Sequence, residues 1–451
     1  MAGTRQVLEL QLGDFDPRVR REALETLWDR ARVGAIELPP QGRAVNLHCH
    51  TFFSFNGYGL SPSAVAWKAR VNGLAAVGLV DFDVLDGIDE FFAACALLGL
   101  RACAGIETRI FVPEFASREI NSPGEPGIAY FMGAGFVSSK PHDPGLLPQL
   151  REMARSRTRA IVDRVNAALG PVALDYEDDV LALTPNGNPT ERHVCIAYDT
   201  KSQRRFPDES VRAAYWSEAL AAPAAGLIDM FKDPPVFQAF IRSKVMKAGG
   251  AGYVKPEGPD FPALKDVARF AADAGAVPTY AWLDGTSAGE RSIDELIDLM
   301  IANGVAAVNI IPDRNWNIAD PDARAKKVKL LHEFVALAVS RDLPVLVGTE
   351  INAYGQRLVD DFAAEAMQPL AGPAFDAAMV FHGHTALESA QGMGYMSDWA
   401  HARFASAREK NAFYKTIGER AKPGEKGLFA TIGPEMPPAH VLATMQVSEK
   451  P

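Results

Sequence analysis

The 451-residue sequence predicts an α/β barrel. Apolar strands alternate with helices along much of the chain. These strands lack the in-and-out polar alternation of a half-exposed sheet, which favours a parallel sheet covered on both faces. Potential metal ligands follow several of the strands, and the carboxyl ends of barrel strands meet at one rim. No strand is followed by the glycine pattern GxGxxG, so a dinucleotide-binding open sheet has no support.

The strand and helix units are recognised by their apolar runs and by the residues that begin and end them. Asp16-Pro17 begins a leading helix that Gly34 ends, because a capping side chain followed by proline is typical of a helix start. Ser61-Pro62 begins a second helix in the same way. The predicted strands are residues 44–47, 74–80, 101–106, 276–281, 305–311 and 343–347, and further helices are predicted at 88–98, 147–169, 264–274, 293–302 and 323–340.

This pattern divides the chain into three parts. Residues 1–43 form an N-terminal helical extension, and residues 44–352 form the barrel. An insertion at about 134–260, less regular and mainly helical, interrupts the barrel. Residues 353–451 form a helical or irregular C-terminal extension.

Composition and charge restrict the partners. The formal net charge of −10 argues against nucleic-acid and anionic-membrane binding, because both reward clustered lysine and arginine. The four cysteines show no CxxC spacing, which favours a reduced, cytoplasmic setting. The first residues lack a basic start and an apolar core, so they do not resemble a signal peptide. No part of the sequence approaches 18 consecutive apolar residues, so no membrane span is expected.

The strongest local signal is the triplet His48-Cys49-His50 at the end of a strand. Residues i and i+2 of a strand point to the same face, so both imidazoles can reach one ion. The alternative is a pair of histidines satisfied by hydrogen bonds. Asp81 and Glu107 end the next two strands, where a carboxylate can bind metal, orient a histidine or accept a proton.

Together these motifs resemble the opening of the PHP (polymerase and histidinol phosphatase) superfamily. The motifs are HCHT at 48–51, VDFDVLDG at 80–87 and AGIE at 104–107. His193, within TERH, is similar to the helix-borne metal histidine of that family, and Glu350, within GTEIN, is similar to its closing acidic ligand. The resemblance covers about residues 45–352. It implies a distorted (β/α)7 barrel and a metal-dependent phosphoesterase.

The sequence also departs from the family pattern. Four positions at which the family has histidine hold other residues, namely Phe82, Tyr130, Trp282 and Asn352. The resemblance therefore leaves a smaller ligand set, His48, His50, Glu107, His193 and Glu350. A mixed nitrogen and oxygen set suits manganese, iron or zinc, and we expect one tightly bound ion and at most one weaker one.

Further residues complete the expected site. Asp81 is expected to orient a histidine or to accept a proton from water. Arg314 follows a predicted strand and is our candidate for binding an anionic group of a small-molecule substrate, with a salt bridge to Asp313 or a neighbour as the alternative. His382-Gly-His384 is a second histidine pair that could supply missing imidazoles.

The sequence thus predicts a metal-dependent phosphoesterase that acts on a small anionic substrate by activating water. Two alternatives stay open. A metal site of this kind serves hydrolysis of C–N bonds equally well, as in amidohydrolases. The altered ligand positions also allow a catalytically decayed protein that binds a ligand without turnover.

Overall fold

A computed structural model describes residues 3–425 and 427–447. The chain separates into two compact units. The first comprises the described residues of Met1–Thr51, Asn56–Leu146 and Gly258–Pro451, and the second comprises Phe52–Phe55 and Leu147–Glu257. In the described part of the chain, no helix is both long and apolar enough to cross a membrane.

The first unit is built on a seven-stranded sheet whose strands lie side by side in chain order. The strands are β1 (Val45–Cys49), β2 (Ala76–Phe82), β3 (Arg101–Phe111), β4 (Ile128–Ala134), β5 (Val277–Trp282), β6 (Ala307–Ile310) and β7 (Val345–Val347). Most of their residues are buried, as the continuous apolar runs predict.

The two edges of this sheet come together. Cys49 forms a parallel bridge with Glu350, three residues beyond β7. The Glu350 amide donates to the His48 carbonyl oxygen at 2.8 Å, and the His50 amide donates to the Glu350 carbonyl oxygen at 2.8 Å. The predicted α/β barrel is therefore confirmed as a nearly closed, barrel-like sheet.

One strand corrects the sequence analysis. The sequence pattern does not predict β4. This strand pairs antiparallel with both β3 and β5, whereas the sequence predicts a parallel sheet. No α-helix lies between β3 and β4, so the strand–helix alternation gave no signal there. Gly127 and Gly135 bracket β4, each with the positive φ that glycine adopts without a steric penalty.

Helices of the first unit begin where the capping residues predict. Asp16 and Ser61 each accept a hydrogen bond from the first turn, and proline follows both. The N-terminal segment holds two helices rather than one. The helices of this unit are α1 (Arg5–Gln11), α2 (Pro17–Arg32), α3 (Pro62–Val71), α4 (Ile88–Leu98), α10 (Leu264–Asp273), α11 (Ala288–Arg291), α12 (Ile293–Ala302), α13 (Asp313–Trp316), α14 (Pro321–Ser340), α15 (Gln368–Gln391), α16 (Asp398–Arg403), α17 (Ala407–Arg420) and α18 (Pro438–Val447).

The C-terminal helices belong to the core of the first unit. Apolar residues of α15 and α17 lie in the same hydrophobic cluster as those of the strands. Two glycines let these helices cross closely: a Cβ on Gly383 would lie 2.0 Å from the Tyr414 carbonyl oxygen, and one on Gly418 would lie 1.9 Å from that of Met379. The segment expected as an extension from residue 353 thus contributes to the main core.

The second unit is helical and has a core of its own. Its helices are α5 (Leu147–Ala168), α6 (Glu191–Arg205), α7 (Glu209–Leu220), α8 (Ala224–Phe231) and α9 (Pro234–Ile241). Trp216, Phe237 and Tyr198 are fully buried in its hydrophobic cluster. Aromatic side chains of this size contribute much of the buried apolar area of a small core, so the unit has the means to stabilise itself.

Candidate metal centre

Two imidazoles converge at the carboxyl end of β1. His48 lies in the strand and His50 directly follows it, and both side chains are fully buried. Their Nε2 atoms are 3.3 Å apart. The spacing of i and i+2 on an extended segment therefore directs both rings to one point, as the sequence predicts.

The carboxylate of Glu107 completes this group. Glu107 lies in β3 and is buried, and its Oε2 is 3.3 Å from His48 Nε2 and 3.2 Å from His50 Nε2. The donor atoms all lie within 4.8 Å of one another. We call these three residues the His–Glu cluster. Within residues 3–425 and 427–447 no other group of three or more His, Cys, Asp and Glu donors is as compact.

Electrostatics favours a cation in the cluster. Burial by itself would raise the pKa of Glu107, but His48 and His50 in their protonated form, through their charge and their hydrogen bonds to the carboxylate, outweigh it and lower that pKa to about 2. Burial would likewise lower the pKa of His48, and the attraction of Glu107 raises it instead. The carboxylate thus keeps its negative charge, and two nitrogens and one oxygen suit a divalent ion of the manganese, iron or zinc type.

Asp81 supports the segment that follows His50. Asp81 lies in β2 and is fully buried. Its carboxylate accepts hydrogen bonds from the Thr51 amide at 2.7 Å and from the Thr51 hydroxyl at 2.6 Å. These bonds restrain the backbone directly after His50. The expected roles of Asp81 in orienting a histidine or accepting a proton stay predictions.

Glu350 forms an ion pair with Arg314. Its Oε2 is 2.6 Å from Arg314 Nη2, and Glu350 is not part of the compact group of donors. Burial would raise the pKa of Glu350, whereas the charge of Arg314 lowers it. The salt-bridge alternative for Arg314 is therefore present, with Glu350 rather than Asp313 as its partner. The arginine side chain is still 43% exposed.

His193 lies in the second unit, in the first turn of α6, where it forms a capping box with Thr190. Its Nδ1 accepts a hydrogen bond from the Thr190 amide at 3.0 Å, and its ring meets that of Phe55 edge-on at 5.0 Å. Burial lowers the pKa of His193 to about 3, so the ring is neutral. A neutral ring whose Nδ1 accepts carries its proton on Nε2, which weighs against the predicted ligand role.

The two histidines of the second pair do not face one point, and His384 has a structural role. His382 and His384 lie in α15, and residues i and i+2 of a helix do not share a face. His384 Nε2 donates to the Gly135 carbonyl oxygen at 2.8 Å, and its Nδ1 accepts from the Tyr395 amide at 2.9 Å. Both of its ring nitrogens are therefore used, and it has no lone pair for a metal.

Three aromatic residues stand at positions where the family resemblance would place histidine. Phe82 stacks on the His50 ring, with centroids 4.2 Å apart, at a position where the family resemblance would place another histidine. Trp282 is buried and stacks on Phe334 at 4.6 Å, so it serves packing. Tyr130 lies opposite Arg109 in the β3–β4 pairing, on the same side of the sheet as Glu107.

Sequence analysis missed a contact behind His48. The Oδ1 of Asn309, in β6, lies 2.9 Å from His48 Nδ1, and both side chains are fully buried. A polar side chain within the apolar strand AVNI was the available signal, since buried polar groups need a partner. The sequence does not show which partner it has.

Comparison with known proteins gives partial likenesses. No family model matches the chain. A 5'-3' exoribonuclease from Haemophilus influenzae is 28% identical over 130 residues, which are 29% of this chain and 42% of that protein. The chain thus matches less than half the length of this curated relative.

Two solved structures can be aligned with most of this chain. An amidohydrolase from Chromobacterium violaceum, with bound sulfate, gives a TM-score of 0.46 at 18% identity, covering 72% of this chain and 96% of that one. A proposed metal-dependent phosphoesterase from Bifidobacterium adolescentis gives a TM-score of 0.45 at 22% identity, and the match covers 75% of this chain and 98% of that one.

Proposed function

We propose that this protein is a metal-dependent phosphoesterase of the PHP type that acts on a small anionic substrate. The observation that carries the proposal is the His–Glu cluster, in which two imidazoles and one carboxylate converge within 4.8 Å at the rim of a barrel-like sheet. Barrel enzymes place their active sites at the rim formed by the carboxyl ends of the strands. Buried groups of this kind that are ready to bind a cation are typical of functional sites.

The cluster would hold one divalent ion. His48, His50 and Glu107 supply the donors, and Glu350 is a proposed additional ligand. The hydrogen bond that His193 accepts on Nδ1 weighs against the ligand role predicted for it. An ion held there would act as a Lewis acid that activates water and offsets negative charge on the substrate. We propose one tightly bound ion of manganese, iron or zinc and at most one weaker one, since only three donors lie close together among the residues that the structure describes.

Arg314 is the proposed contact for the anionic group. Its guanidinium has five donors, and its side chain is 43% exposed while one of its nitrogens holds Glu350. The charge of Glu350 raises the pKa of Arg314, so the guanidinium keeps its charge throughout the working range. A fixed, charged fork of this kind matches the oxygens of a phosphate group. Asp81 is the proposed acceptor of the proton that water releases.

The curated relative supports the choice of a phosphoester. Its name describes an enzyme that cleaves RNA, and therefore phosphodiester bonds. The net charge of −10 favours a small anionic substrate over a long nucleic acid for this chain. Both a phosphomonoester and a phosphodiester are consequently included in the test.

The test is turnover by protein that has been stripped of metal and reloaded with manganese, iron or zinc. We expect hydrolysis of para-nitrophenyl phosphate or bis-para-nitrophenyl phosphate, with a kcat/KM that falls at least about 100-fold in His50→Ala. His401→Ala, which removes an exposed histidine of α16, is the matched control and should keep full activity.

The remaining results point to different conclusions. Hydrolysis of a para-nitroanilide amide without phosphoester turnover would replace the proposal with C–N hydrolysis. Metal binding without turnover of any of these substrates would support the decayed, ligand-binding protein. Equal activity of His50→Ala and the native protein would remove the His–Glu cluster from the reaction.

A further inference from the structure

The His48 ring is held on the side away from Glu107 by Asn309. The two residues are 261 positions apart in the chain, and each is fully buried. Asn309 Oδ1 lies 2.9 Å from His48 Nδ1, while His48 Nε2 faces Glu107 and His50. The two nitrogens of one imidazole thus have separate neighbours, and the question is which of them carries the proton.

The orientation of the Asn309 amide answers this question. Its Nδ2 donates to the Leu346 carbonyl oxygen at 3.3 Å, across the β6–β7 pairing in which Asn309 and Leu346 are partners. A carbonyl oxygen accepts only, so rotating the amide would set two acceptor oxygens against each other. The oxygen of Asn309 must therefore face His48, and the contact requires a proton on His48 Nδ1.

The backbone around His48 leaves the ring little freedom to escape this contact. The His48 amide donates to Asn46 Oδ1 at 3.0 Å. Gly348 lies against the same residue so closely that a Cβ there would be 2.2 Å from the His48 Cβ. These contacts restrain the backbone and the Cβ of His48, and its ring lies between Asn309 on one side and Glu107 and His50 on the other.

We propose that Asn309 is a positioning residue that selects the Nδ1–H form of His48 and so presents the bare Nε2 to a metal ion. The inference rests on the proposed metal site and deepens it. A ligating imidazole needs a free lone pair on the nitrogen that meets the ion, and the hydrogen bond of its other nitrogen sets which nitrogen is free. Asn309 contacts the nitrogen of His48 that faces away from Glu107, so its effect on metal binding is transmitted through the His48 ring.

The simpler interpretation is that Asn309 only satisfies a polar group inside the barrel. Two substitutions separate the interpretations. Asn309→Leu has a similar volume and removes the acceptor. Asn309→Asp keeps an acceptor oxygen for His48 Nδ1 but sets a second oxygen against the Leu346 carbonyl, so it costs stability while preserving the choice of tautomer.

Asn315→Leu is the matched control. Asn315 is also fully buried and donates its amide nitrogen to backbone oxygens, those of Leu283 and Ile311. Its loss should lower stability through an unsatisfied backbone acceptor without a change at His48.

The first measurement is the tautomer itself, from long-range ¹H–¹⁵N spectra of metal-free protein with labelled histidine, at alkaline pH where the imidazoles are neutral. We expect His48 to carry its proton on Nδ1 in the native protein, in Asn309→Asp and in Asn315→Leu, and to lose this preference in Asn309→Leu. The second measurement is zinc affinity by competition with a chelator. Asn309→Leu should weaken zinc binding by about 10- to 100-fold, while Asn309→Asp and Asn315→Leu stay within about threefold of native.

The outcomes are distinguishable. A His48 proton on Nε2 in the native protein, or no change of tautomer in Asn309→Leu, overturns the proposal. So does a loss of stability in Asn309→Leu that equals that of Asn315→Leu with unchanged zinc affinity. If the native protein binds none of zinc, manganese and iron, the proposed metal site fails on that result alone, and the spectra of the metal-free protein still decide whether Asn309 selects the tautomer.

Discussion

Two histidines that sequence motifs treat alike, His48 at the end of β1 and His193 at the start of α6, have opposite surroundings. His48 Nδ1 faces a side-chain oxygen of Asn309, which accepts only. His193 Nδ1 faces the backbone N–H of Thr190, which donates only. In the neutral form of each ring, the proton therefore lies on Nδ1 of His48 and on Nε2 of His193.

The charge around the two rings also differs. Glu107 raises the pKa of His48 against the effect of burial, whereas burial alone lowers the pKa of His193 to about 3. The His48 imidazole can bind a cation through Nε2, whereas the His193 imidazole caps a helix. The comparison shows that residue type and motif do not identify a metal ligand until the partner of the second ring nitrogen is known.

The largest expected effect tests the cation-binding side of this comparison. Glu107→Gln keeps the size of the side chain and removes the charge that faces both imidazoles. We expect metal affinity to fall by more than about 100-fold, because a residue that binds the ion contributes more to affinity than one that only hydrogen-bonds to a ligand. Chelator competition with zinc measures this. Glu125→Gln, which removes the partner of Arg109, is the control, and equal losses in both variants would contradict the assignment.

The next effect concerns the space around His48. Gly348→Ala would place a Cβ 2.2 Å from the His48 Cβ and 2.6 Å from the His48 backbone nitrogen. We expect the free energy of unfolding to fall by about 1–3 kcal/mol, as in other overpacked cores, and metal affinity to fall with it. Denaturant unfolding measures the first quantity. Gly372→Ala in α15, with nothing within 4 Å, should be neutral or stabilising, and similar losses in both would show that His48 is not held by this contact.

A third prediction extends the comparison to acid stability. His384 accepts a backbone N–H on Nδ1, as His193 does, and burial lowers its pKa to about 4 from an ordinary 6.5. The unfolded chain therefore binds a proton that the folded protein excludes between these values. The stability that neutral His384 contributes is complete above pH 6.5 and is lost as pH falls toward 4, by up to about 1.4 kcal/mol per pH unit.

Unfolding by denaturant at several pH values between 7.5 and 4.5 measures this slope. His384→Gln should be less stable at pH 7.5 and should depend less on pH than the native protein. Parallel curves for the two proteins would show that His384 does not exclude the proton.

The smallest effect tests the helix-capping side of the comparison. His193→Ala should leave zinc affinity within about threefold of native, because its Nε2 carries a proton. It should cost about 1 kcal/mol of stability through the lost contact with the Thr190 amide. Circular dichroism and chelator competition measure the two quantities. A loss of zinc affinity as large as that of Glu107→Gln would show that His193 is a ligand and would contradict the comparison.

Local sequence determined much of this protein. The apolar runs and capping residues predicted α4 and α12 at the bounds that the structure has. They predicted β1, β2, β5, β6 and β7 to within two residues and ended β3 five residues too early. The spacing of His48 and His50 and the position of Glu107 on a buried strand predicted residues that converge. These features depend on the helix and strand periods and on steric rules at element ends, which act over a few residues.

The remaining features of the fold and the site depend on contacts between residues that are distant in the sequence, so only the tertiary structure decided them. The antiparallel pairing of β4 follows from a connection without a helix, and the place of α15 in the core follows from close glycine contacts with α17. The ion pair of Arg314 with Glu350 forms only when β6 and the segment beyond β7 lie side by side. The proton on His48 is set by Asn309, 261 residues away in the chain, whose amide is oriented by the neighbouring strand. No local spacing encodes that choice, since it exists only once three strands are paired.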